Sequence, residues 1–153
     1  MKEGIIKFNG YCVENMNYSR NNSYEEMDEY IDLSPEFLFK IAVNKDVLKK
    51  YNVIIGARVG YSNENSPFRA EVIIRGFFEI RGNDEYNKEE LQNFYIINSS
   101  AILFPYLRSA LTDITSKSDH APVILPTFNF HTVIDSLDIG DLILDSSEYK
   151  EYI

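Results

Sequence analysis

The sequence has few of the residues from which enzymes and metal sites are built. Its 153 residues include two histidines, one cysteine and no tryptophan. With one cysteine, Cys12, no internal disulfide can form, and such usage is typical of the reducing cytoplasm. His120 and His131 form no cluster at metal-ligand spacing, and no glycine-rich phosphate-binding turn joins a strand to a helix. We therefore expect a cytoplasmic protein with no catalytic site, no metal and no cofactor.

Long hydrophobic runs and an excess of positive charge are also absent. No apolar stretch approaches the roughly 20 residues that span a bilayer, and residues 1–10 lack the apolar core of a signal peptide. The formal net charge of -9 repels phosphate backbones and anionic lipids. We expect no membrane insertion and no binding to nucleic acid, and basic proteins or segments are the better candidate partners.

The residues that are present predict a sheet in the first half of a single domain, residues 1–153. Four successive segments alternate apolar and polar residues as strands do: 4–14, 37–43, 51–62 and 68–82. The turn at 63–67 has hairpin chemistry, so the strands predict an antiparallel sheet over 4–82 with one covered face. The polar connection over 15–36 is unusually long, and such connections are often functional.

After residue 82 the apolar period changes from two to 3.6. Residues 87–117 are predicted to be helical, either as one run from about 89 or as two helices with Ser99 or Ser100 capping the second. Pro105 removes a backbone hydrogen bond there, which predicts a kink.

A short final helix is predicted over 129–144, with Asn129 as its N-cap and Gly140 as its end. Strands first and helices afterwards favour the α+β class.

The helix around Pro105 has more apolar surface than one sheet face can cover. One stripe consists of Leu103, Leu107, Ala110, Leu111 and Ile114. The remaining positions Ile102, Phe104, Tyr106 and Ser109 point elsewhere, and each aromatic offers ~150–250 Å². A bent core helix is one interpretation, but exposed apolar patches of this size usually mark an interface, so oligomerisation explains the second face.

Residues 102–117, ILFPYLRSALTDITSK, resemble the long-helix signature of the SecB family of tetrameric protein-export chaperones. The family motif ILFPYxR is matched by Ile102, Leu103, Phe104, Pro105, Tyr106 and Arg108. More loosely, FRAEVIIRGFFEIRG resembles the family's last long strand, and LPTFNF resembles the segment that enters its final helix. The resemblance covers roughly residues 4–140. It implies a four-stranded antiparallel sheet with two helices on one side, assembled as a dimer of dimers that sandwiches the long helices.

The resemblance also implies a function and its residues. Family members are ATP-independent holdases for unfolded polypeptides such as preproteins for export. The client groove would be lined by Tyr30, Ile31, Leu33, Phe37, Val133, Ile134 and Leu137. The oligomer interface would include Ile102, Phe104, Pro105, Tyr106 and Arg108.

Family members also dock the translocation ATPase SecA through acidic residues on the exposed sheet face. Glu14 and Glu71 match such positions, whereas Tyr18 and Arg69 stand where the family has acidic and apolar residues. The departure leaves two alternatives to general export. One is a SecB-like chaperone dedicated to one partner, such as the antitoxin of a toxin–antitoxin module, and the other is an adaptor module with the same fold.

Overall fold

One β-sheet carries a helical run on one of its faces in the computed structural model. The structure describes residues 4–26, 33–43, 49–127 and 129–132, together with the backbone of 143–145. Its strands are β1 (Ile6–Arg20), β2 (Glu36–Val43), β3 (Lys50–Val59), β4 (Phe68–Ile80) and β5 (Ile143–Asp145), in the sheet order β1-β4-β3-β2-β5. Its helices are α1 (Lys88–Asn93) and α2 (Ser99–Thr115), joined by the π-helical segment Phe94–Asn98.

The first four strands pair with one another in antiparallel fashion. β2 pairs with β3, and β3 pairs with β4, as expected for consecutive strands with short connections. β1 lies on the far side of β4, with Ile6 opposite Ile80 and Arg20 opposite Phe68. The predicted four-stranded antiparallel sheet and α+β class are confirmed.

β1 is longer than its alternation predicts. The polar connection was expected to start at residue 15, but the strand continues to Arg20. Its register against β4 shifts twice, between Phe8 and Tyr11 and between Val13 and Asn15, as at β-bulges. The ring of Tyr18 stacks on Phe68 at 5.5 Å, so a tertiary contact holds a segment whose own composition favours a loop.

The core lies between α2 and one face of the sheet, here called the inner face. Side chains at most 4% exposed include Ile41, Val53, Ile55, Val59, Phe68, Val72, Ile74, Leu103, Leu107 and Leu111. A Cβ atom at Gly76 would lie 3.0 Å from Leu103 Cδ1 and 2.6 Å from Phe78 Cε2. Gly76 therefore lets α2 approach β4 closely, which is the packing role expected for a glycine inside a strand.

The helical run is continuous from Lys88 to Thr115, so the single-run alternative is the correct one. It begins at a capping box, in which Asn87 Oδ1 accepts from the Glu90 N–H at 2.8 Å and Glu90 Oε2 accepts from the Asn87 N–H at 2.9 Å. Ser99 is not a cap, and its hydroxyl donates to the Phe94 carbonyl at 2.8 Å.

A buried aromatic cluster joins β3 to the π-helical segment. The hydroxyl of Tyr51 lies 2.5 Å from Ser99 Oγ, and its ring contacts Tyr95 at 4.5 Å and Phe78 at 5.5 Å. Burial raises the pKa of the Tyr51 phenol well above its usual value, and burial raises the pKa of Tyr95 to about 12.

The chain after α2 returns along that helix. The Thr112 hydroxyl donates to the Val123 carbonyl at 2.9 Å, and the Thr115 hydroxyl accepts from the Val123 N–H at 2.9 Å. Leu125 is fully buried. Asn129 Oδ1 accepts from the His131 N–H at 3.1 Å, which confirms its predicted role as the N-cap of the helical turn at 130–132.

The end of the predicted helix over 129–144 is wrong. Residues 133–142 lie outside the described residues, but Ile143–Asp145 form β5, a strand parallel to β2, with Ile41 opposite Ile143 and Val43 opposite Asp145. The edge of β2 supplies backbone N–H and C=O groups that need partners. Pairing with these groups makes residues 143–145 a strand, although the sequence pattern predicts a helix that continues to residue 144.

Candidate functional site

Three exposed apolar side chains of β1 and one of α2 form a patch, in which one residue of each element is in contact. Tyr11, Val13 and Met16 of β1 and Tyr106 of α2 are each 40–48% exposed, and we call them the β1–α2 patch. The rings of Tyr11 and Tyr106 are 4.6 Å apart. Because β1 is an edge strand of the described sheet, the patch adjoins a row of backbone groups, a combination suited to another polypeptide.

The sequence pattern missed this patch because the two β1 bulges change which residues face α2. Tyr11, Val13 and Met16 lie opposite Gly76, Ile74 and Val72 of β4. In the sequence, the first bulge is marked by Gly10. Its φ of 100° is in the left-handed region that glycine favours.

An open groove of about 820 Å³ runs between α2 and the chain that follows it. Its floor includes Phe104 and Phe130, whose rings meet edge to face with centroids 5.7 Å apart. The lining residues are Ala101, Phe104, Pro105, Arg108, Ser109, Thr112, Asp113, Ser116, Thr127 and Phe130. We call this surface the α2 groove.

The residues of the expected oligomer interface have different environments. Pro105 and Tyr106 are exposed, and Ile102 and Arg108 are partly buried. Phe104 is only 9% exposed, so its ring is largely covered within its own chain and not left free for a second copy. The segment after α2 folds back and covers Phe104 with Phe130.

Only two of the residues expected to line a client groove are described. Leu33 is partly buried and packs against the core, whereas Phe37, near the start of β2, is 44% exposed. The other expected groove residues lie outside the described residues: Tyr30, Ile31, Val133, Ile134 and Leu137. The groove stays a prediction, with Phe37 as its accessible member.

The acids on the outer sheet face have partners within the chain. Glu14 forms an ion pair with Arg75, and the two side chains are 14% and 9% exposed. Glu71 Oε1 accepts from Asn15 Nδ2 at 2.7 Å. Glu14, at the second β1 bulge, is therefore less accessible than the sequence predicts.

Cys12 lies beside this ion pair. Its Sγ is 3.7 Å from Glu14 Oε1. Burial, followed by the charge of Glu14, raises the pKa of the thiol, which disfavours the reactive thiolate.

Two further results concern only the described ranges. None of their helices has the length and apolarity needed to cross a membrane. They contain no group of three or more His, Cys, Asp or Glu residues placed to hold a metal ion.

Residues 5–136 match the model of a protein family described as preprotein translocase subunit SecB. An uncharacterized protein of Methanocaldococcus jannaschii is 35% identical over 126 residues, which is 81% of this chain and 79% of that protein. The protein-export protein SecB of Anaplasma phagocytophilum is 27% identical over 86 residues, 56% of this chain and 54% of that protein.

A solved structure shares the fold. It is a SecB-like chaperone of Mycobacterium tuberculosis in complex with a peptide from the HigA1 antitoxin. It superposes with a TM-score of 0.63 at 16% identity, covering 80% of this chain and 90% of that one.

The protein is of the α+β class. A long helix covers one face of its sheet, and apolar side chains stay exposed beside that helix. The family match spans most of the chain and includes the ILFPYLR segment of α2. The chain belongs to the SecB family, as the resemblance of its sequence predicted.

Proposed function

We propose that this protein is an ATP-independent chaperone that binds unfolded polypeptides and holds them in a soluble state. The observation that carries the proposal is the SecB family match over residues 5–136. The SecB-like chaperone with the same fold, which was solved with a bound peptide, supports it. So does the single cysteine, which suits a cytoplasmic protein that meets newly made chains.

The exposed apolar surface is the physical basis on which the protein would hold an unfolded polypeptide. Covering apolar area yields roughly 25 cal/mol per Å², so an extended client segment can bind without nucleotide hydrolysis. Apolar contacts carry no strict sequence code. The net charge of -9 keeps such a surface soluble and favours basic clients.

The proposed client groove lies between the 24–37 connection and the final helix. Phe37 is the part of it that is both described and accessible. The full proposed set is Tyr30, Ile31, Leu33, Phe37, Val133, Ile134 and Leu137.

The proposed assembly is a homo-oligomer, as a dimer of dimers. The β1–α2 patch adjoins an open strand edge, and the α2 groove exposes Pro105 beside Arg108. A second copy would cover these surfaces, leaving the β2 side of each sheet for clients.

The test is suppression of aggregation of an unfolded client without nucleotide. The parent protein should suppress aggregation at near-stoichiometric ratios. Phe37→Ser should weaken suppression several-fold and lower the melting temperature by only a few degrees, because 44% of this side chain is exposed and the protein stays folded without it. Ile124→Ser is the matched control, since Ile124 is a 66% exposed apolar residue that is not among the proposed groove residues. A parent protein that suppresses no aggregation would refute the proposal.

A second candidate function is a chaperone dedicated to one partner. The internal partners of Glu14 and Glu71 favour it, because acids that pair with Arg75 and Asn15 are less available to a docking ATPase such as SecA. The antitoxin peptide bound by the structurally similar chaperone gives an example of such a partner. A toxin–antitoxin operon next to the gene, together with no measurable SecA binding, would select this candidate.

A further inference from the structure

The outer edge of β2 already holds an extended polypeptide segment, which belongs to the chain itself. β5 pairs with β2 over Ile41–Val43 in parallel register. It joins the sheet from a position about 100 residues further along the chain, and no neighbouring strand of the described sheet lies beyond it.

The β5–β2 ladder is short. It involves three residues of each strand, whereas β2 pairs with β3 along all eight of its residues. Parallel pairing is slightly less stable per residue than antiparallel pairing, and three residues is the lower limit of strand length in globular proteins. The ladder is the shortest strand pairing of the described sheet and its one parallel pairing.

Phe37 connects this edge to the proposed client surface. It lies on β2, four residues before the segment that β5 covers, and is 44% exposed. A second extended chain beside β2 would place alternate side chains next to Phe37, Phe39 and Ile41 on the inner face.

We propose that β5 is an intramolecular occupant of the client site, and that an extended segment of an unfolded client displaces it and pairs with the edge of β2. This inference rests on the proposed function and specifies how the client is recognised. Strand addition uses the backbone groups that every polypeptide has, which suits a chaperone for clients without a common sequence. β5 would keep the edge covered when no client is bound, so that it does not recruit other edges.

The opposite edge of the sheet is the weaker alternative for clients. β1 adjoins the β1–α2 patch, which we assign to a second copy of the chain. At the β2 edge, by contrast, the structure shows an extended segment, β5, already paired with the sheet.

A reversible cross-link tests the displacement. Ala42 and Leu144 are directly opposite in the β2–β5 register, and neighbouring strands hold such positions within the Cα separation that a disulfide needs. The variant Ala42→Cys/Leu144→Cys, in a Cys12→Ser background, can therefore lock β5 in place. The probe is reduced, carboxymethylated lactalbumin, a permanently unfolded protein, and its Kd is measured by fluorescence anisotropy.

We expect the oxidised variant to bind the probe at least ten-fold more weakly than the same protein after reduction. Each single cysteine variant should bind equally well with and without reductant. Equal affinity of the locked and reduced forms would overturn the strand-displacement inference and leave the chaperone function standing. No binding by the parent protein would refute the chaperone function itself.

A second variant changes the affinity in the opposite direction. Leu144→Pro removes a backbone donor from β5 and should strengthen probe binding several-fold, whereas Leu144→Val, which keeps a strand-forming residue, should not. Hydrogen exchange gives an independent readout: saturating probe should expose the amides of 143–145 while those of 41–43 stay protected. Unchanged protection of 143–145 would contradict the inference.

Discussion

Tyr51 of β3 contacts Ser99 and Tyr95 of the helical run, and its burial disfavours ionisation of its phenol. Burial raises its pKa, and burial raises that of Tyr95 to about 12. A tyrosine of an unfolded chain ionises near pH 10. The stability contributed by the two buried phenols is therefore fully present below about pH 10 and is lost as the pH rises toward the folded-state values.

Tyr51→Phe should reduce that alkaline loss. At pH 8 the variant should lose about 0.5–1.5 kcal/mol of unfolding free energy, because the hydrogen bond to Ser99 is gone. Between pH 10 and 12 it should lose less additional stability than the parent protein. Urea denaturation followed by circular dichroism at several pH values measures both effects.

Ser99→Ala separates the two causes. It removes the same hydrogen bond, and with it the one to the Phe94 carbonyl, but keeps the phenol. The variant should therefore be destabilised at pH 8 and retain the full alkaline loss. An identical pH dependence in Tyr51→Phe and the parent protein would show that the Tyr51 phenol does not contribute to the alkaline loss of stability.

Individual side-chain positions were predictable from the sequence where strands are regular. The alternation of β3 and β4 places Val53, Ile55, Val72 and Ile74 in the core, as it does in the structure. The Glu14–Arg75 pair was not predictable, because it depends on a bulge in β1 and on a partner strand far along the chain.

At the scale of elements, α2 has two apolar faces with different tasks. Leu107 is 1% exposed and packs in the core of its own chain, whereas its neighbour Tyr106 is 40% exposed. A charge at the two positions should therefore have different effects, since only the first creates a buried charge in the isolated chain.

Tyr106→Glu should shift the assembly to smaller species while each chain stays folded. Light scattering should show a parent tetramer of about 71 kDa, four times 17.8 kDa, and a lower mass for the variant. Tyr106→Phe, which keeps the ring, should behave as the parent protein does. Leu107→Ala should instead lower the unfolding free energy by about 2–5 kcal/mol. A monomeric parent protein at micromolar concentration would refute the assembly.

Most elements were predictable, and the exceptions have a common cause. The four strands and the helical run follow from periods of two and 3.6 in the sequence. The last third of β1 and the strand β5 have weak local signals. They form because a partner strand, β4 or β2, offers backbone groups and a packing surface.

At the scale of the whole molecule, charge should govern the choice of clients. With a net charge of -9, the protein should bind a basic unfolded client several-fold more weakly at 300 mM than at 50 mM salt, because salt screens the attraction. A neutral client of similar hydrophobicity should show little change. The Kd of both clients by anisotropy measures this, and equal salt dependence would mean that charge plays no part.

The client site stays a proposal, and the sequence indicates it only in outline. The family resemblance names residues from two segments, 24–37 and the final helix, whose relative placement depends on the packing of the entire fold. No local pattern indicates that β2 carries its own covering strand, since that contact joins Ile41 to Ile143.

The pairing of β1 with β4 has a consequence for synthesis on the ribosome. Ile80, the partner of Ile6, lies 74 positions after it. At about 5–20 residues per second, the ribosome needs roughly 4–15 s to make those residues. During that interval the first strand, with Tyr11, Val13 and Met16, has left the ribosome before its partner strand exists. A nascent copy of this protein thus resembles the unfolded chains that the finished protein is proposed to hold.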